Sequence, residues 1–581
     1  MPSKIFGKVP ERDPRFFNPP PNNIPVLIVG AGPTGLSLAY LLARLGIRSA
    51  VIDKHAVRLG QPKAHAINPR SLEIFRQAGL DIPALRALGA SVDDGFWVSY
   101  VSGLPGVELC KLPYERQDED VKALTPEPLL NIAQPVLEVF LEDAVMATEL
   151  VTIHRCYQWE GVLLGADERP ISAVRNRDEE GKVLKIRSEF VVGADGVASA
   201  VRAALKNVTF DSPPGVDRPQ KTNFYQSIHC RGNVSSLLQP DDTRATLYFC
   251  AHPEHAAGII VYDIALSFVH VTQVNIDGND DTKRLTADKC TDIVKSCMPT
   301  LDFEPLSVTL WQTWPRVASA YSDSSHNHRV FVAGDAAHSF PPQGGLGVNT
   351  GFADVHNLAW KLGMALRGGE KHQQDFLKSY TDERKPVATA NAVQSAENER
   401  VGIEVNPALS RIASDGEAAS DLATHVKKQD VQSELQHLAA LSKPHFDSLV
   451  LQLGYVYGTG QDGTVLLDDV SAFVPSAKPG SRLPHTLLVD GTSILDHVPY
   501  DKFVIFYRCV GNIFYPTHDG PLKIHVLDVA PLKPATSWYE LVGLDEGAGL
   551  LVRPDQYVMC KVSSMEEAMA VVEKYLSRGG M

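Results

Sequence analysis

Three short apolar runs stand out in the pattern of hydrophobic and polar positions, and each leads into a turn rich in glycine. The runs occupy residues 24–29, 190–193 and 330–333. Apolar runs of this length that end in glycine are typical of strands buried within a parallel sheet. Apolar residues at helical spacing follow each turn. The pattern therefore predicts an α/β domain in which buried strands alternate with helices.

The first turn has the spacing of a dinucleotide-binding fingerprint. Gly30, Gly32 and Gly35 form G-x-G-x-x-G between a predicted strand and a predicted helix that ends at Gly46. The first glycine permits the tight turn, the second lets a pyrophosphate approach the backbone, and the third lets the helix pack on the strand. The next predicted strand ends at Asp53, where an acid can bind a pair of ribose hydroxyls. The sequence therefore predicts a dinucleotide site at this turn.

The third turn combines an acidic residue with a loop that has few side chains. Asp335 ends the strand, Pro341, Pro342 and several glycines follow as far as Gly347, and residues 349–362 predict a helix. Glycine lets a ligand approach the backbone closely, and a helix start offers free N–H groups, so the stretch suits a flat anionic ligand. An ordinary strand–loop–helix joint has the same pattern, and the residues alone leave both interpretations open.

The pattern changes near residue 208, where strand signals begin to outnumber helical ones. We expect a second domain there, a β-sheet with few helices, inserted between two halves of the first domain. A charged helical stretch and then a small domain of mixed strands and helices follow. The predicted division is an irregular N-terminal arm at 1–23, a dinucleotide-binding domain at 24–207 and 315–402, a sheet domain at 208–314, a helical connector at 403–474 and a C-terminal domain at 475–581.

Composition narrows the partners of the chain. Its 581 residues carry a formal net charge of −14, which argues against a nucleic-acid surface and against binding to anionic membranes. No apolar run is long enough to span a bilayer, and the polar N-terminus lacks the apolar core of a secretory signal. The eight cysteines form no Cys-x-x-Cys pair, and no cluster has metal-ligand spacing. We therefore expect a cytoplasmic protein without a metal site.

In their order along the chain, the stretches at Gly30–Gly35, Gly193–Arg202 and Gly334–Asn349 resemble the group A flavoprotein monooxygenases of the p-hydroxybenzoate hydroxylase fold. The third domain makes the chain most similar to the phenol hydroxylase and chlorophenol monooxygenase branch, whose C-terminal domain is thioredoxin-like. The resemblance implies a fold of mixed α/β and α+β class. It comprises a Rossmann-like FAD-binding domain, an inserted β-sheet substrate domain and a thioredoxin-like domain at 475–581.

The resemblance implies a set of residues that contact FAD. These are Gly30, Gly32 and Gly35 at the pyrophosphate, Asp53 at the adenosine ribose, the next residue Lys54 as a further cofactor contact, Lys63 near the diphosphate, Gln134 at the flavin or its ribityl chain, Asp335 at the ribityl chain, Pro342 beside the isoalloxazine ring, and Gly347, Val348 and Asn349 with backbone groups facing the flavin carbonyls and N1. Family members often have arginine in place of Lys63, and lysine keeps the charge but loses the bidentate fork. Asp195 and Gly196 match an Asp-Gly motif linked to FAD and the pyridine nucleotide.

The resemblance also implies the reaction. NADPH or NADH would reduce FAD, and O2 would form a flavin C4a-hydroperoxide that hydroxylates a phenolic ring, ortho to its hydroxyl group. A base that removes the phenolic proton would speed attack, and His65 is the candidate because an imidazole titrates near neutral pH. Tyr225 and Tyr262 could donate hydrogen bonds to the phenolic oxygen. A packed loop histidine and half-buried strand tyrosines have the same pattern, so both interpretations stay open.

Two alternative functions remain. The same flavin chemistry could perform Baeyer–Villiger oxygenation or epoxidation of a polyketide-like substrate. The chain could also be a flavin-binding module that has lost catalysis, although its intact glycine, aspartate and asparagine positions speak against this. Because the C-terminal domain has no Cys-x-x-Cys, we expect it to support the structure or a homodimer contact rather than dithiol chemistry.

Overall fold

The computed structural model describes residues 3–5, 11–58, 60–179, 181–216, 223–240, 242–252, 256–275, 286–312, 314–368, 373–415, 419–458, 467–488, 490–507 and 535–578. In chain order its strands are β1 Ser3–Ile5, β2 Asn23–Val29, β3 Ser49–Asp53, β4 Ala66–Ile67, β5 Trp97–Val101, β6 Glu108–Pro113, β7 Leu130–Asn131, β8 Val151–Arg155, β9 Tyr157–Leu164, β10 Pro170–Asn176, β11 Val183–Gly193, β12 Phe210–Asp211, β13 Asn223–Gly232, β14 Ala245–Cys250, β15 Ala257–Asp263, β16 Ser267–Asn275, β17 Phe303–Trp311, β18 Arg316–Ala318, β19 Val330–Val332, β20 His338–Ser339, β21 Val504–Tyr507, β22 Gly549–Val552 and β23 Val558–Val562.

The α-helices are α1 Pro33–Arg44, α2 Pro69–Gln77, α3 Ile82–Ala87, α4 Val92–Gly95, α5 Glu119–Lys122, α6 Gln134–Met146, α7 Ala200–Ala204, α8 Ala287–Cys297, α9 Leu346–Gly368, α10 Gln373–Ser414, α11 Ala419–His425, α12 Gln429–Phe446, α13 Leu449–Leu453, α14 Ala535–Val542 and α15 Met565–Arg578. Among the described helices, none combines the length and the hydrophobicity that crossing a bilayer requires.

The three apolar runs form neighbouring strands of one sheet. The strand order is β8-β3-β2-β11-β10-β9, and β19 pairs with β11 outside this path. Strands β2, β3, β8, β11 and β19 run parallel, whereas β9 and β10 add an antiparallel edge. Because the carboxyl ends of parallel strands meet at one edge of a sheet, the three glycine turns converge there. The predicted α/β class is confirmed.

A second sheet of eight strands forms the predicted sheet domain, in the order β1-β17-β13-β16-β15-β14-β5-β6. The sheet includes strands from outside the predicted range 208–314. Strand β5 pairs in parallel with β14, and β6 pairs with β5. The N-terminal arm is not wholly irregular either, since β1 pairs antiparallel with β17. These pairings join segments that are far apart in the chain, so no local pattern reveals them.

The expected domain boundary at residue 402 falls inside a continuous helix. Helix α10 runs through this position and contains Pro386 and Pro407. Its last turns bury Val405 and Leu409 in a cluster that also includes residues of β5 and β6. The helix therefore begins against α9 and ends against the eight-stranded sheet, which we call the substrate sheet after the role that the sequence predicts for it, so the boundary at 402 is corrected.

The described part of the C-terminal domain contains the antiparallel sheet β21-β22-β23 and helices α14 and α15. The apolar pattern at 524–529 predicts a further strand, which lies outside the described residues, and the thioredoxin-like topology stays a prediction. Buried ion pairs attach this domain to α9 and α10: Arg553 binds Glu383 at 2.7 Å, and Glu383 also binds Lys361 at 2.9 Å. Charges buried to this degree are tolerated only when they are paired, so the domain contact depends on this network.

Candidate active site

The first glycine turn has the geometry that its spacing predicts. Gly30 has φ +111°, and a Cβ on it would lie 2.2 Å from the Ala194 carbonyl oxygen. A Cβ on Gly35 would lie 2.0 Å from the Gly30 carbonyl oxygen, whereas one on Gly32 would face open space. Helix α1 begins directly after Gly32, and no side chain caps its first N–H groups. A helix start with free N–H groups beside an open glycine fits a bound pyrophosphate.

Asp53 ends β3 beside this turn. Its Oδ2 accepts a hydrogen bond from the Ala31 backbone N–H at 2.9 Å, and its Oδ1 accepts one from His55 N–H at 2.8 Å. The next residue, Lys54, has an exposed side chain. Each carboxylate oxygen has a second acceptor position, so Asp53 can bind ribose hydroxyls while it holds the turn.

The first and third turns touch through one side chain. A Cβ on Gly334, which has φ +59°, would lie 2.6 Å from Thr34 Oγ1. A Cβ on Gly351 would lie at the same distance from that oxygen. The Thr34 side chain therefore packs between the start of the Gly334 turn and helix α9. This close packing requires glycine at both positions, a requirement that the sequence pattern did not reveal.

Asp335 is accessible to solvent but is closely surrounded by protein, since residues 331–334 and 336–340 on either side of it are buried. Burial raises the pKa of its carboxyl group, and the nearby charges of His338 and Lys63 oppose that shift. The Lys63 side chain is exposed, as is that of Pro342 in the loop that follows Asp335. One carboxylate and one cation therefore lie near a backbone-rich loop (residues 342–349), which we call the flavin loop after the role that the sequence predicts for it.

Asn349 holds the flavin loop through its side chain. Its Oδ1 accepts hydrogen bonds from Asn68 N–H at 3.0 Å and from Ser71 Oγ at 2.7 Å. Its Nδ2 donates to the carbonyl oxygens of Ala66 at 2.9 Å and Gly345 at 2.7 Å. Both amide atoms of Asn349 are therefore engaged in hydrogen bonds within the protein. A ligand could reach only backbone groups here, those of Asn349 and of Gly347 and Val348 in the first turn of α9. The first N–H groups of a helix have no intrahelical acceptor.

His338 has a structural position. It is fully buried, its Nε2 lies 2.7 Å from Asp354 Oδ2, and its ring stacks on Phe340 with centroids 4.8 Å apart. Asp354 also accepts from Gly334 N–H at 3.1 Å and from Arg384 at 2.9 Å. This group of side chains fixes the strand end that presents Asp335.

His65 lies between two tyrosine rings, those of Tyr114 and Tyr262, with centroid distances of 6.1 Å to each. Its Nδ1 lies 3.1 Å from Asn131 Oδ1, and the amide orientation is set because Asn131 Nδ2 donates to the Gly95 carbonyl at 3.3 Å. This network assigns the proton to Nδ1 and leaves Nε2 as an acceptor. Nε2 has no hydrogen-bond partner among the described residues.

Burial lowers the pKa of His65 to about 4, and the hydrogen bond to Asn131 only partly opposes this. The sequence predicts that the His65 imidazole titrates near neutral pH, and the structure corrects this prediction. The physical reason is that burial disfavours the charged imidazolium. His65 is therefore neutral at pH 7 and can accept a proton through Nε2, but as a weaker base than expected.

The two candidate tyrosines lie on one face of the substrate sheet but at different levels along its strands. Tyr225 pairs with Gln273 of β16, whereas Val261, the neighbour of Tyr262, pairs with Phe268. Five residues of strand separate these levels, roughly 17 Å at about 3.4 Å per residue. Only Tyr262 faces His65, and its hydroxyl is buried without a hydrogen-bond partner in the described structure.

Two other predicted cofactor residues are already engaged. The Asp195 carboxylate accepts from the Ala200 and Ser199 groups that start α7, and Gly196 beside it has φ +81° and open space. Gln134 accepts from Ala64 N–H at 3.2 Å and donates to Glu138 at 2.7 Å. Both residues therefore hold the local backbone, whatever else they bind.

Several residues of the cleft gave no signal in the sequence. Asn131 sets the His65 tautomer from a strand remote in the chain, and Tyr114 lies against the flavin loop near Gly345. Glu399 of α10 binds Tyr225. Gln343 was missed as well, although its position inside the third glycine turn is a signal that could have indicated a site. Among the described residues, no group of three histidine, cysteine or acidic side chains could hold a metal ion.

The fold and the converging turns define a protein that binds a dinucleotide cofactor. A family profile described as an FAD binding domain matches residues 23–395, and the chain belongs to this family. Tetracenomycin B2 monooxygenase-dioxygenase of Streptomyces olivaceus is 28% identical over 96% of this chain and 98% of its own length. The 4-methyl-5-nitrocatechol 5-monooxygenase of a Burkholderia species is 27% identical over 94% of this chain and 96% of its own.

A solved structure shows the same fold. The flavin-dependent monooxygenase PieE, in complex with FAD and substrate, superposes with a TM-score of 0.78 over 96% of this chain and 99% of its own, at 24% identity. The resemblance to FAD-dependent aromatic monooxygenases is confirmed, and FAD is the cofactor.

Proposed function

We propose that this enzyme uses NADPH or NADH and O2 to hydroxylate a phenolic ring, ortho to its hydroxyl group. The observation that carries the proposal is the pair formed by His65 and Tyr262. The two rings lie 6.1 Å apart between centroids, and neither the Nε2 acceptor of His65 nor the buried Tyr262 hydroxyl has a hydrogen-bond partner among the described residues. The flavin loop adjoins the segment that carries His65, because the Asn349 amide donates to the Ala66 carbonyl. A phenolic hydroxyl, which is both donor and acceptor, would satisfy the two groups together.

The flavin-contact residues of this proposal follow from the turns. Gly32 and the start of α1 would hold the FAD pyrophosphate, Asp53 the ribose, and Asp335 the ribityl chain. The first turn of α9 would face the ring. When bound there, FAD supplies the activation of O2 and the transfer of one oxygen atom. His65 would accept the phenolic proton, Tyr262 would orient the phenolic oxygen, and the surrounding aromatic rings would exclude water.

The nicotinamide cofactor would dock only transiently. We place its proposed site on the open side of Gly196, next to Asp195. We also propose that the enzyme is a cytoplasmic homodimer, which sedimentation of the purified protein would test. A monomer at micromolar concentration would contradict the homodimer.

A polyketide-like substrate is the second candidate. One relative is named for tetracenomycin B2, and the sheet face that bears Tyr225 and Tyr262 extends over roughly 17 Å, which suits several fused rings. Such a substrate would permit Baeyer–Villiger oxygenation or epoxidation as well as hydroxylation.

The deciding experiment measures NAD(P)H consumption and products with a panel of simple phenols and polycyclic phenols. We expect a phenol to stimulate NAD(P)H oxidation and to yield a catechol. A lactone or an epoxide would instead support the alternative chemistry. If FAD binds but no member of the panel stimulates oxidation, the protein is a flavin-binding module without this activity.

A further inference from the structure

A cavity of about 150 Å³ lies beside Asn131, and neither His65 nor Tyr262 is among the residues that line it. Its apolar walls are formed by Ala90, Val92, Leu129 and Leu130. Val92 is exposed, whereas Leu129 and Leu130 are buried, so the cavity extends inward from the surface of the protein. The structure thus contains an apolar space apart from the His65–Tyr262 pair.

The volume and the walls of this cavity suit one aromatic ring. About five water molecules, at roughly 30 Å³ each, would fill the space, but apolar walls offer water few hydrogen-bond partners. In another protein an engineered apolar cavity of about 150 Å³ binds benzene. A ring that moves from water into this cavity would gain the free energy of burying its apolar surface.

Gln117 supplies a hydrogen-bond acceptor at the cavity. Its side chain lines the cavity and is more than nine-tenths buried. Its Nε2 donates to the carbonyl oxygens of Gly95 and Tyr114, each at 3.1 Å, which fixes the orientation of the amide and uses both of its N–H groups. The amide oxygen Oε1 accepts no hydrogen bond from the described residues. A ligand that donates an O–H group would satisfy it.

Arg86 supplies a donor at the same cavity without an excess of charge. Its Nε and Nη2 bind Glu127 at 3.1 and 2.8 Å, and within the described part of the chain its Nη1 has no acceptor. Glu127 also binds Arg76, which in turn pairs with Asp496 at 2.7 Å. Two cations and two carboxylates therefore balance, and the cavity favours a neutral ligand whose oxygen can accept from Arg86.

We propose that this cavity is a second binding site, and that its ligand is a one-ring phenol. The ring would occupy the space between the apolar walls, the hydroxyl group would donate to Gln117 Oε1, and an oxygen of the ligand would accept from Arg86 Nη1. The site does not depend on the proposed hydroxylation, because a phenol can bind here even if the enzyme oxidises none.

Two lining residues connect this second site to the His65 site. Gln117 holds the Tyr114 carbonyl, and Asn131 Oδ1 lies 3.1 Å from His65 Nδ1. The second site is therefore one hydrogen bond away from both Tyr114 and His65.

The test uses the FAD-bound protein with 4-fluorophenol as the probe. Electron density from crystals soaked with the probe shows where it binds, and a fluorine NMR titration counts the molecules bound per chain in solution. We expect density for one ring in the cavity of wild type. Ala90→Leu fills part of the cavity, and overpacking disfavours binding, so this variant should lose the cavity density and bind one molecule fewer per chain at saturation.

A matched variant and a second probe make the result specific. Ala87→Leu is the same substitution at an exposed position that does not line the cavity, and it should bind as many molecules as wild type. Fluorobenzene has the ring but no hydroxyl group to donate to Gln117. In soaks it should need about a 5-fold higher concentration than 4-fluorophenol to occupy the cavity. FAD content and the thermal midpoint of each variant would show whether it is folded.

Each outcome decides the proposal. A wild-type cavity without density, or equal numbers of bound molecules in wild type and Ala90→Leu, would mean that the cavity holds only water; either result overturns the second site. Density without a matching loss in solution would mean binding at crystal concentration only, which also overturns it. Equal occupancy by fluorobenzene would exclude the hydrogen bond to Gln117 and with it the preference for phenols.

Two complications leave the decision intact. If Ala90→Leu does not fold, the wild-type density and the fluorobenzene comparison decide. If wild type holds 4-fluorophenol in the cavity but hydroxylates no phenol, the proposed function fails and the second site stands.

Discussion

The Asn349 amide donates a hydrogen bond to the Ala66 carbonyl across 2.9 Å and so joins the flavin loop to the segment that carries His65. The same amide accepts from Asn68 and Ser71. Cofactor loop and candidate base are therefore positioned by one buried side chain.

Asn349→Ala should loosen this junction. The change leaves several buried donors and acceptors without partners and should lower the free energy of unfolding by about 2–3 kcal/mol. We also expect the Kd for FAD to rise at least about 10-fold, because the backbone of the first turn of α9 loses its fixed position. Fluorescence titration of apoprotein with FAD measures this, and an unchanged Kd would contradict it.

Gly351→Ala should be destabilising although alanine favours helices. Its Cβ would lie 2.6 Å from Thr34 Oγ1. Replacing Thr34 by Ala as well removes the clash, so the double variant should regain part of the lost stability. Gly402→Ala, in open space on α10, is the matched control and should be neutral or slightly stabilising. Thermal midpoints of the variants test this, and additive losses in the double variant would refute the contact.

His65 should make the fold sensitive to acid. Its pKa is about 4 in the folded protein and near 6.5 when unfolded, so between these pH values the unfolded state binds more protons. Stability should therefore fall as pH falls through this window. Urea unfolding at pH 7 and pH 5 should show a smaller loss for His65→Gln than for wild type. His437→Gln, at an exposed position of α12, should retain the wild-type loss.

Asn131→Asp should change the hydrogen-bond partner of His65 Nδ1 and leave the surroundings of Nε2 unchanged. A carboxylate in place of the amide oxygen would stabilise the imidazolium and raise the pKa of His65. If His65 is a base in the reaction, the acid limb of the kcat/KM profile should move to higher pH in this variant. His65→Ala should slow hydroxylation far more than it weakens FAD binding. A profile unchanged in both variants would exclude His65 as the base.

Asp195→Ala should slow flavin reduction by NADPH if the nicotinamide cofactor docks there. The carboxylate also caps α7, so the loss of the cap alone must be measured. Ser199→Ala removes the cap contact to Arg202 N–H and the hydrogen bond from Ser199 to Asp195, but it keeps the Asp195 carboxylate and its contact with Ala200 N–H. Stopped-flow reduction should be slowed clearly more by Asp195→Ala. Equal effects would assign the loss to the helix cap.

The sequence by itself determined the strands and turns of the FAD-binding domain, because these are local. Gly30 is required by its positive φ and Gly35 by its packing on the Gly30 carbonyl, both requirements within a few residues, and buried parallel strands are continuous apolar runs. It also determined the composition of the flavin loop and the absence of Cys-x-x-Cys in the C-terminal domain.

Only the tertiary structure decided what the candidate residues can do. The pKa of His65 depends on burial between rings and on Asn131, and the direction of the Tyr225 proton depends on Glu399, a residue 174 positions away. Strand pairing separated Tyr225 from Tyr262 and added β1, β5 and β6 to the substrate sheet. Desolvation, hydrogen-bond direction and sheet register arise from contacts between remote segments, and no local pattern of residues contains them.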